Sequence, residues 1–376
     1  MIYLDNSAST FYKPFCVKWV VIKSLFCMTA NPGRSGHRAS QKSGDAVFNT
    51  REILAKTFNT NADRVVFTSG CTEALNLAIR GSVRKGGHII TSCYEHNAVL
   101  RTLEHLQAKG YVTYSVVVPA RKDGVITEDE LSKALTKDTY MLIINHISNV
   151  LGIKQDIKRL GFWARRNNLL FVVDGAQSAG HESIDMKDCE INMLAIAGHK
   201  ALYGIQGVGA LLLDDNVYLN PIKFGGTGTN SEELRQPASI PEGLESGTLP
   251  TPAIVSLGAG CKYAYSHLIE HTTIISDLSR YLLDGLKQVE GVIIYTPDTM
   301  LNGVIAFNVV GWSSGELANQ LNEYGFAVRS GLQCAPLAHK YMGTLNQGGA
   351  VRVSISHKNT KQQLRKFLKV IEVIAR

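Results

Sequence analysis

From about residue 50 to about residue 215, short apolar runs alternate with segments of helical periodicity. The runs are Val65–Thr68, His88–Ser92, Val112–Val118, Met141–His146, Leu169–Asp174, Met193–Ala197 and Gly207–Leu213. Several are apolar throughout, which a strand requires when both of its faces are covered; a strand with one wet face alternates instead. Thr72–Arg80, Ala98–Lys109, Thr127–Leu135 and Asp156–Asn167 supply the helices between them. A helix that crosses back over the sheet leaves its two flanking strands parallel. The pattern predicts an α/β fold on a mostly parallel, seven-stranded sheet.

Residues 220–252 break the alternation. Phe224-Gly225-Gly226-Thr227-Gly228-Thr229 and Leu249-Pro250-Thr251-Pro252 are loop chemistry. A helix is expected from Ala253 through Ile275, with interruptions allowed, and then a smaller α+β unit with strands Val292–Tyr295, Val304–Val309 and Val351–Ser356. Leu364, Phe367, Leu368, Ile371 and Ile374 share one face of a last helix. A chain of 376 residues is long enough for two domains. The expected division is a large α/β domain over 15–260 and a small α+β domain made of 1–14 and 261–376.

A net charge of +7 without a basic block gives no support to a nucleic-acid surface. Seven scattered cysteines without a CxxC argue against a disulfide framework and against a metal site, and fit a reducing, cytoplasmic setting. No apolar run is long enough to span a membrane. Phe15 to Met28 is apolar but interrupted by Lys18 and Lys23. Val17, Val20, Val21, Leu25 and Met28 fall on one helical face, so a packed amphipathic helix is expected there rather than a signal peptide.

Two residues give this framework a chemistry. Asp174 ends one apolar run, and Lys200 follows the next through the turn Gly198-His199. A carboxylate and a lysine at neighbouring strand ends, among small residues, suit pyridoxal phosphate. The lysine can bind the aldehyde, and the aspartate can keep the pyridine nitrogen protonated so that the ring draws in electrons. Gly175 and Ala176 let the chain approach a flat ring, and Gln177 can donate to its phenolic oxygen.

The other segments read two ways when taken singly. Ser69-Gly70-Cys71-Thr72 opens a helix, either as a phosphate site at Cys71 and Thr72 or as an ordinary cap. His96 follows a strand, as a ring-stacking proton carrier or as a loop histidine. Asn149 is an amide donor for a carboxylate or a turn former. Cys334 lies in a loop after Arg329-Ser330, as a nucleophile beside a cation or as a buried inert thiol. Arg352 is a carboxylate clamp or a solvated edge residue.

Together these segments resemble the class V aminotransferase-fold pyridoxal phosphate enzymes, and within them the cysteine desulfurases. The likeness begins at Tyr3-Leu4-Asp5-Asn6-Ser7-Ala8-Ser9-Thr10, passes through Asn31-Pro32-Gly33-Arg34-Ser35-Gly36-His37 and ends at Asn359-Thr360. Arg329-Ser330-Gly331-Leu332-Gln333-Cys334 is similar to the SufS-like or selenocysteine-lyase-like branch, whose cysteine sits on a short, ordered loop. The resemblance implies fold type I of the pyridoxal phosphate enzymes and a homodimer. It makes Lys200 the Schiff-base lysine, Asp174 the partner of the pyridine nitrogen, Gln177 the ligand of the phenolic oxygen and His96 the stacking ring. Cys71 (through its amide), Thr72 and His199 become phosphate ligands, and Thr248 a ligand donated by the other subunit. Asn149 and Arg352 become the carboxylate clamp, with Arg329 beside the substrate, and Cys334 the sulfur acceptor.

Two positions depart from the family pattern. Ala197 stands where a serine is common, which removes one phosphate hydroxyl and implies weaker cofactor retention, and Cys71 stands where a threonine is common. Phe11 to Met28 matches no pattern of the family. The implied reaction takes L-cysteine to L-alanine, forms a persulfide on Cys334 and passes the sulfur to an acceptor thiol or protein. Selenocysteine cleavage, another class V reaction such as transamination, and a sulfur-relay scaffold without turnover are the competing readings.

Overall fold

The computed structural model describes residues 1–376 except 34 and 229–231. In chain order it begins with β1 (Ile2–Tyr3), α1 (Phe15–Cys27), α2 (Arg38–Phe58), β2 (Val65–Thr68), α3 (Cys71–Gly81), β3 (Gly87–Ser92), α4 (Asn97–Ala108) and β4 (Val112–Val117). There follow α5 (Glu128–Ala134), β5 (Thr139–Asn145), α6 (Ile157–Arg166), β6 (Leu170–Asp174), β7 (Met193–Ala197) and β8 (Gly209–Leu213). The C-terminal third holds α7 (Thr251–Ser266), α8 (Leu268–Lys287), β9 (Val292–Ile294), β10 (Val304–Val309), α9 (Ser314–Glu323), β11 (Phe326–Ala327), α10 (Pro336–Met342), β12 (Val351–Ser354) and α11 (Lys361–Ile374).

Seven strands form the central sheet in the order β2-β8-β7-β6-β5-β3-β4. β8 runs against both of its neighbours, and the remaining pairs are parallel. The α/β, mostly parallel expectation holds. β2, β3, β6, β7 and β8 carry almost no exposed residue because helices cover both faces. Burial of one such Leu, Ile or Val side chain contributes roughly 1.5–3 kcal/mol. Helix starts carry their own chemistry: Thr127 with Glu130, Ser313 with Glu316 and Thr360 with Gln363 each form a reciprocal capping box.

A second, antiparallel sheet orders β12-β10-β9, over which α8, α9 and α11 close a separate apolar cluster. Leu364, Phe367, Leu368, Ile371 and Ile374 are all buried on α11, as their spacing predicts. The N-terminus joins this unit. β1 pairs in parallel with β11, and Ser354 N donates to the Leu4 carbonyl at 2.7 Å. Neither two-residue strand was expected. The helical stretch expected from Ala253 through Ile275 has one of the interruptions allowed for it: α7 and α8 meet at His267.

α1 departs from expectation at one residue. The helix forms with Val17 buried and Val20, Val21 and the following Met28 half-buried, as expected, but Leu25 of the same face is 58 % exposed. Phe15, Trp19, Ile22 and Phe26 point outward, with Phe15 and Trp19 rings stacked at 6.5 Å. Apolar residues occupy both sides of this helix, and the side of Val17, Val20 and Val21 is the better covered.

Candidate active site

Carboxyl ends of parallel strands, where the connections diverge to opposite faces, are where α/β sheets leave a crevice. The cavity here has a volume of about 360 Å³, within the range of small-molecule sites. Asp174 is the last residue of β6 and Ala197 the last of β7, and both line it. Lys200, Gln177, His96, Asn149, Cys71, Thr72, His199, Arg329, Cys334 and Arg352 line it too. Of the expected site residues, Thr248 stands apart: it is exposed and does not face this chain's own cavity.

Close packing sets the lysine loop. A side chain on Gly198 would meet Val208 at 2.8 Å, and one on Gly209 would come within 2.8 Å of Gly70. The glycines therefore let β7, β8 and the start of α3 meet at one corner. Thr10 Oγ1 donates to the Lys200 carbonyl at 3.0 Å, and Lys13 Nζ to the His199 carbonyl at 3.0 Å, pinning the loop from outside. Burial lowers the Lys200 amine, opposed by the Asp174 carboxylate. A lowered amine is more often neutral, and the neutral amine attacks an aldehyde.

Asp174 is 2 % exposed; its Oδ1 accepts from Ala176 N at 2.9 Å and lies 3.5 Å from Cys71 Sγ. Burial, with Asp174 adding to it, raises the Cys71 thiol well above its usual range. Cys71 is thus an inert thiol whose amide opens α3. Gly70, the cap residue of α3, supplies no side-chain bond. The first-turn amides of a helix lack intrahelical acceptors, and here they open onto the cavity with the Thr72 hydroxyl beside them.

His96 caps α4: its Nδ1 accepts from Ala98 N at 3.0 Å, which leaves the ring proton on Nε2. Burial lowers its pKa, and Asp174 partly offsets this. Burial also brings His199 down to about 4, so both rings are neutral near pH 7.

Arg352 on β12 is 3 % exposed rather than solvated. It reaches the Asn149 carbonyl at 2.9 Å and Asp5 Oδ1 at 2.5 Å, while its Nε has no partner among the described residues. Arg329 lies opposite it through reciprocal main-chain bonds of 2.7 and 3.1 Å. Asn149 Nδ2 donates to the Gln333 carbonyl at 2.7 Å, and its buried Oδ1 is unpartnered among the described residues.

Cys334 is exposed, unlike Cys71. Its loop takes left-handed turns at Gln333 (φ 41°) and Cys334 (φ 59°). Gln333 fixes them: its Nε2 donates to Ala350 O at 2.8 Å and its Oε1 meets His339 Nε2 at 2.7 Å. The Cys334 carbonyl accepts from Asn97 N at 2.7 Å, which ties the loop to the start of α4.

This donor set suits a phosphorylated aromatic aldehyde. An uncapped helix end stands with a lysine, a buried carboxylate and a neutral ring around one cavity, and the Arg352 side chain lines it beside them. Asp5, Thr10, Lys13 and Gln333 had no assigned role from sequence. Their motifs were visible, but their partners lie far away along the chain. Among the described residues, no cluster of side chains could hold a metal ion and no helix is long and apolar enough to cross a membrane.

The aminotransferase class-V family model matches residues 2–367. A cysteine desulfurase IscS of Shewanella baltica is 33% identical over 400 residues, covering 98% of this chain and 91% of that protein. One from Tolumonas auensis is 36% identical over 305 residues, 78% of this chain and 70% of that protein. The apo cysteine desulfurase of Thermococcus onnurineus NA1 superposes with a TM-score of 0.91 at 28% identity, covering 100% of this chain and 94% of that one. The S-sulfonic acid form of the cysteine desulfurase CsdA from Escherichia coli gives 0.86 at 25% identity, covering 99% and 94%.

Proposed function

The chain belongs to the aminotransferase class-V family as a cysteine desulfurase, and from that premise we propose that Lys200, Asp174 and Cys334 carry the conversion of L-cysteine to L-alanine, with the sulfur held as a persulfide on Cys334. The observation that carries this reading is the opening of Lys200, Asp174 and the exposed Cys334 onto a single cavity. Bound pyridoxal phosphate supplies an electron sink for negative charge at the substrate Cα. Lys200 and Asp174 would hold its reactive end and its ring nitrogen, and Gln177 its phenolic oxygen. The amides of Cys71 and Thr72, the Thr72 hydroxyl and His199 would take the phosphate.

Arg352 holds the substrate carboxylate at the cavity wall, with Asn149 and Arg329 beside it. That contact turns the Cα–H bond toward Lys200 Nζ, which removes the proton. The Cys334 thiolate attacks the substrate sulfur; the S–S bond forms, the Cβ–S bond breaks, and its electron pair stays with the carbon that becomes the alanine methyl group. The sum is redox-neutral: cysteine and a thiol become alanine and a persulfide.

A homodimer belongs to the same reading. Thr248 is exposed and does not line its own chain's cavity, which supports a role at the phosphate site of a second copy. The short loop anchored by Gln333 supports the SufS-like branch, although the curated relatives named above are IscS proteins. Free thiols at all seven cysteines support a reducing, cytoplasmic setting. The division into 15–260 and 1–14 with 261–376 accords with the separate apolar clusters. The deciding experiment incubates the purified, pyridoxal phosphate-loaded protein with L-cysteine and follows alanine, sulfide and the visible spectrum together. Equal yields of alanine and sulfur are expected; a keto acid, or no alanine, would sink the reading.

A further inference from the structure

A second depression leaves the cavity at Cys334. Its volume is about 430 Å³, and it shares Thr72, His96, Ala98 and Cys334 with the active site. From there it follows the exposed edges of α3 and α4 past Asn76, Arg80, Arg101 and His105. Among the described residues no carboxylate lines it. Arg80 and Arg101 are exposed and make no ion pair among the described residues. Neither has a part in the reaction proposed above. A cation pair left free beside a nucleophile is a recognition element without a partner in this chain.

From Thr72 to Arg80 is eight residues of helix, a rise of about 12 Å. That exceeds the reach of a single amino-acid thiol and matches about four residues of extended chain. Building on the proposed persulfide at Cys334, we infer that this groove receives the sulfur acceptor, as an extended peptide segment carrying a thiol among carboxylates. The carboxylates lie against Arg80 and Arg101, and the acceptor thiolate reaches the outer sulfur of the Cys334 persulfide. The new S–S bond forms as the Cys334–sulfur bond breaks; Cys334 leaves as thiolate and the acceptor carries the persulfide. The Asn97–Cys334 bond keeps the cysteine at the inner end of the groove.

The test uses the loaded enzyme with L-cysteine and two four-residue peptides containing one cysteine, one with glutamates and one with lysines. Alanine formation and persulfide on the peptide are measured separately. At low salt the acidic peptide is expected to be persulfidated about tenfold faster than the basic one, and the gap should close at high salt. Arg80→Gln with Arg101→Gln should erase the preference while the first round of alanine formation is unchanged. Equal rates for the two peptides, or a preference that survives the double substitution, would overturn the assignment, as would 3-mercaptopropionate matching the acidic peptide. Absence of alanine altogether would instead refute the desulfurase reading.

Discussion

The guanidinium of Arg352 lies 2.5 Å from the carboxylate of Asp5, a residue 347 positions away. The clamp expected to bind substrate is thus itself held by an acid from the opposite end of the chain. The main-chain bonds of Leu4 and Asn6 to Ser354 fix that acid on β12. Asp5 thereby holds the Arg352 guanidinium at the wall of the cavity. Arg352→Gln should raise the KM for L-cysteine by about tenfold to a hundredfold, the range for a lost charged hydrogen bond. Arg352→Lys should recover little, since an ammonium cannot reproduce the fork. Steady-state kinetics against L-cysteine checks both.

The two thiols at the cavity should behave oppositely. Cys334→Ala is expected to retain the absorption band of the bound cofactor and lose sulfur release from L-cysteine. Cys71→Ala removes a buried thiol whose pKa is pushed up, and should keep sulfur release within about tenfold of the parent. Lys200→Ala should lose the band itself. Absorption spectra and a sulfide assay on the three variants separate these roles.

Ala197 faces the cavity at the end of β7, where a hydroxyl would meet the proposed phosphate. Ala197→Ser should tighten pyridoxal phosphate retention by about tenfold, the worth of one charge-assisted bond. Equilibrium dialysis of the cofactor measures it, and unchanged retention would remove Ala197 from the phosphate site.

Glu95 is fully buried beneath the site, where its Oε1 accepts from Ser92 Oγ at 2.6 Å and Asn145 N at 2.9 Å. Burial raises its carboxyl from 4.5 to about 8. Between those values the native protein keeps a proton that the unfolded chain releases. Its contribution is therefore complete below the unfolded value and drains away as pH rises toward 8, by up to ~1.4 kcal/mol per pH unit. Glu95→Gln should flatten this slope. Urea midpoints of both proteins between about pH 5.5 and pH 7.5 would reveal it.

Arg51 and Glu245 form a buried pair, with Nη1 and Oε1 at 2.9 Å. Glu245 also accepts from the Phe67 amide, which joins the segment before Thr248 to β2. Arg51→Met leaves a carboxylate without its cation and should cost about 3–5 kcal/mol. Double substitution to Met and Gln should recover most of it. Thermal denaturation of the apo protein measures both.

The sheet was legible because a strand covered on both faces must be apolar throughout, and β6 and β7 are. Asp174 and Lys200 were legible because polar groups that follow such strands have few places to go. Asp5 and Gln333 were not, because their meaning lies in partners brought close by tertiary contact. β1 and β11 are two residues each, too short to carry a periodic signal. At α1 the periodicity found the covered side through Val17, Val20 and Val21, and failed only at Leu25.

That outer side of α1 carries Phe15, Trp19, Ile22 and Phe26 alongside the exposed Lys18 and Lys23, and no acidic residue occurs between Asp5 and Asp45. Copies that meet strip to strip confront lysine with lysine. Their mutual repulsion acts as a colloidal guard, effective while the Debye length is about 10 Å and feeble at 3 Å. Concentrated stocks of this protein should stay clear in dilute buffer and turn cloudy as sodium chloride is added, the reverse of ordinary salting-in.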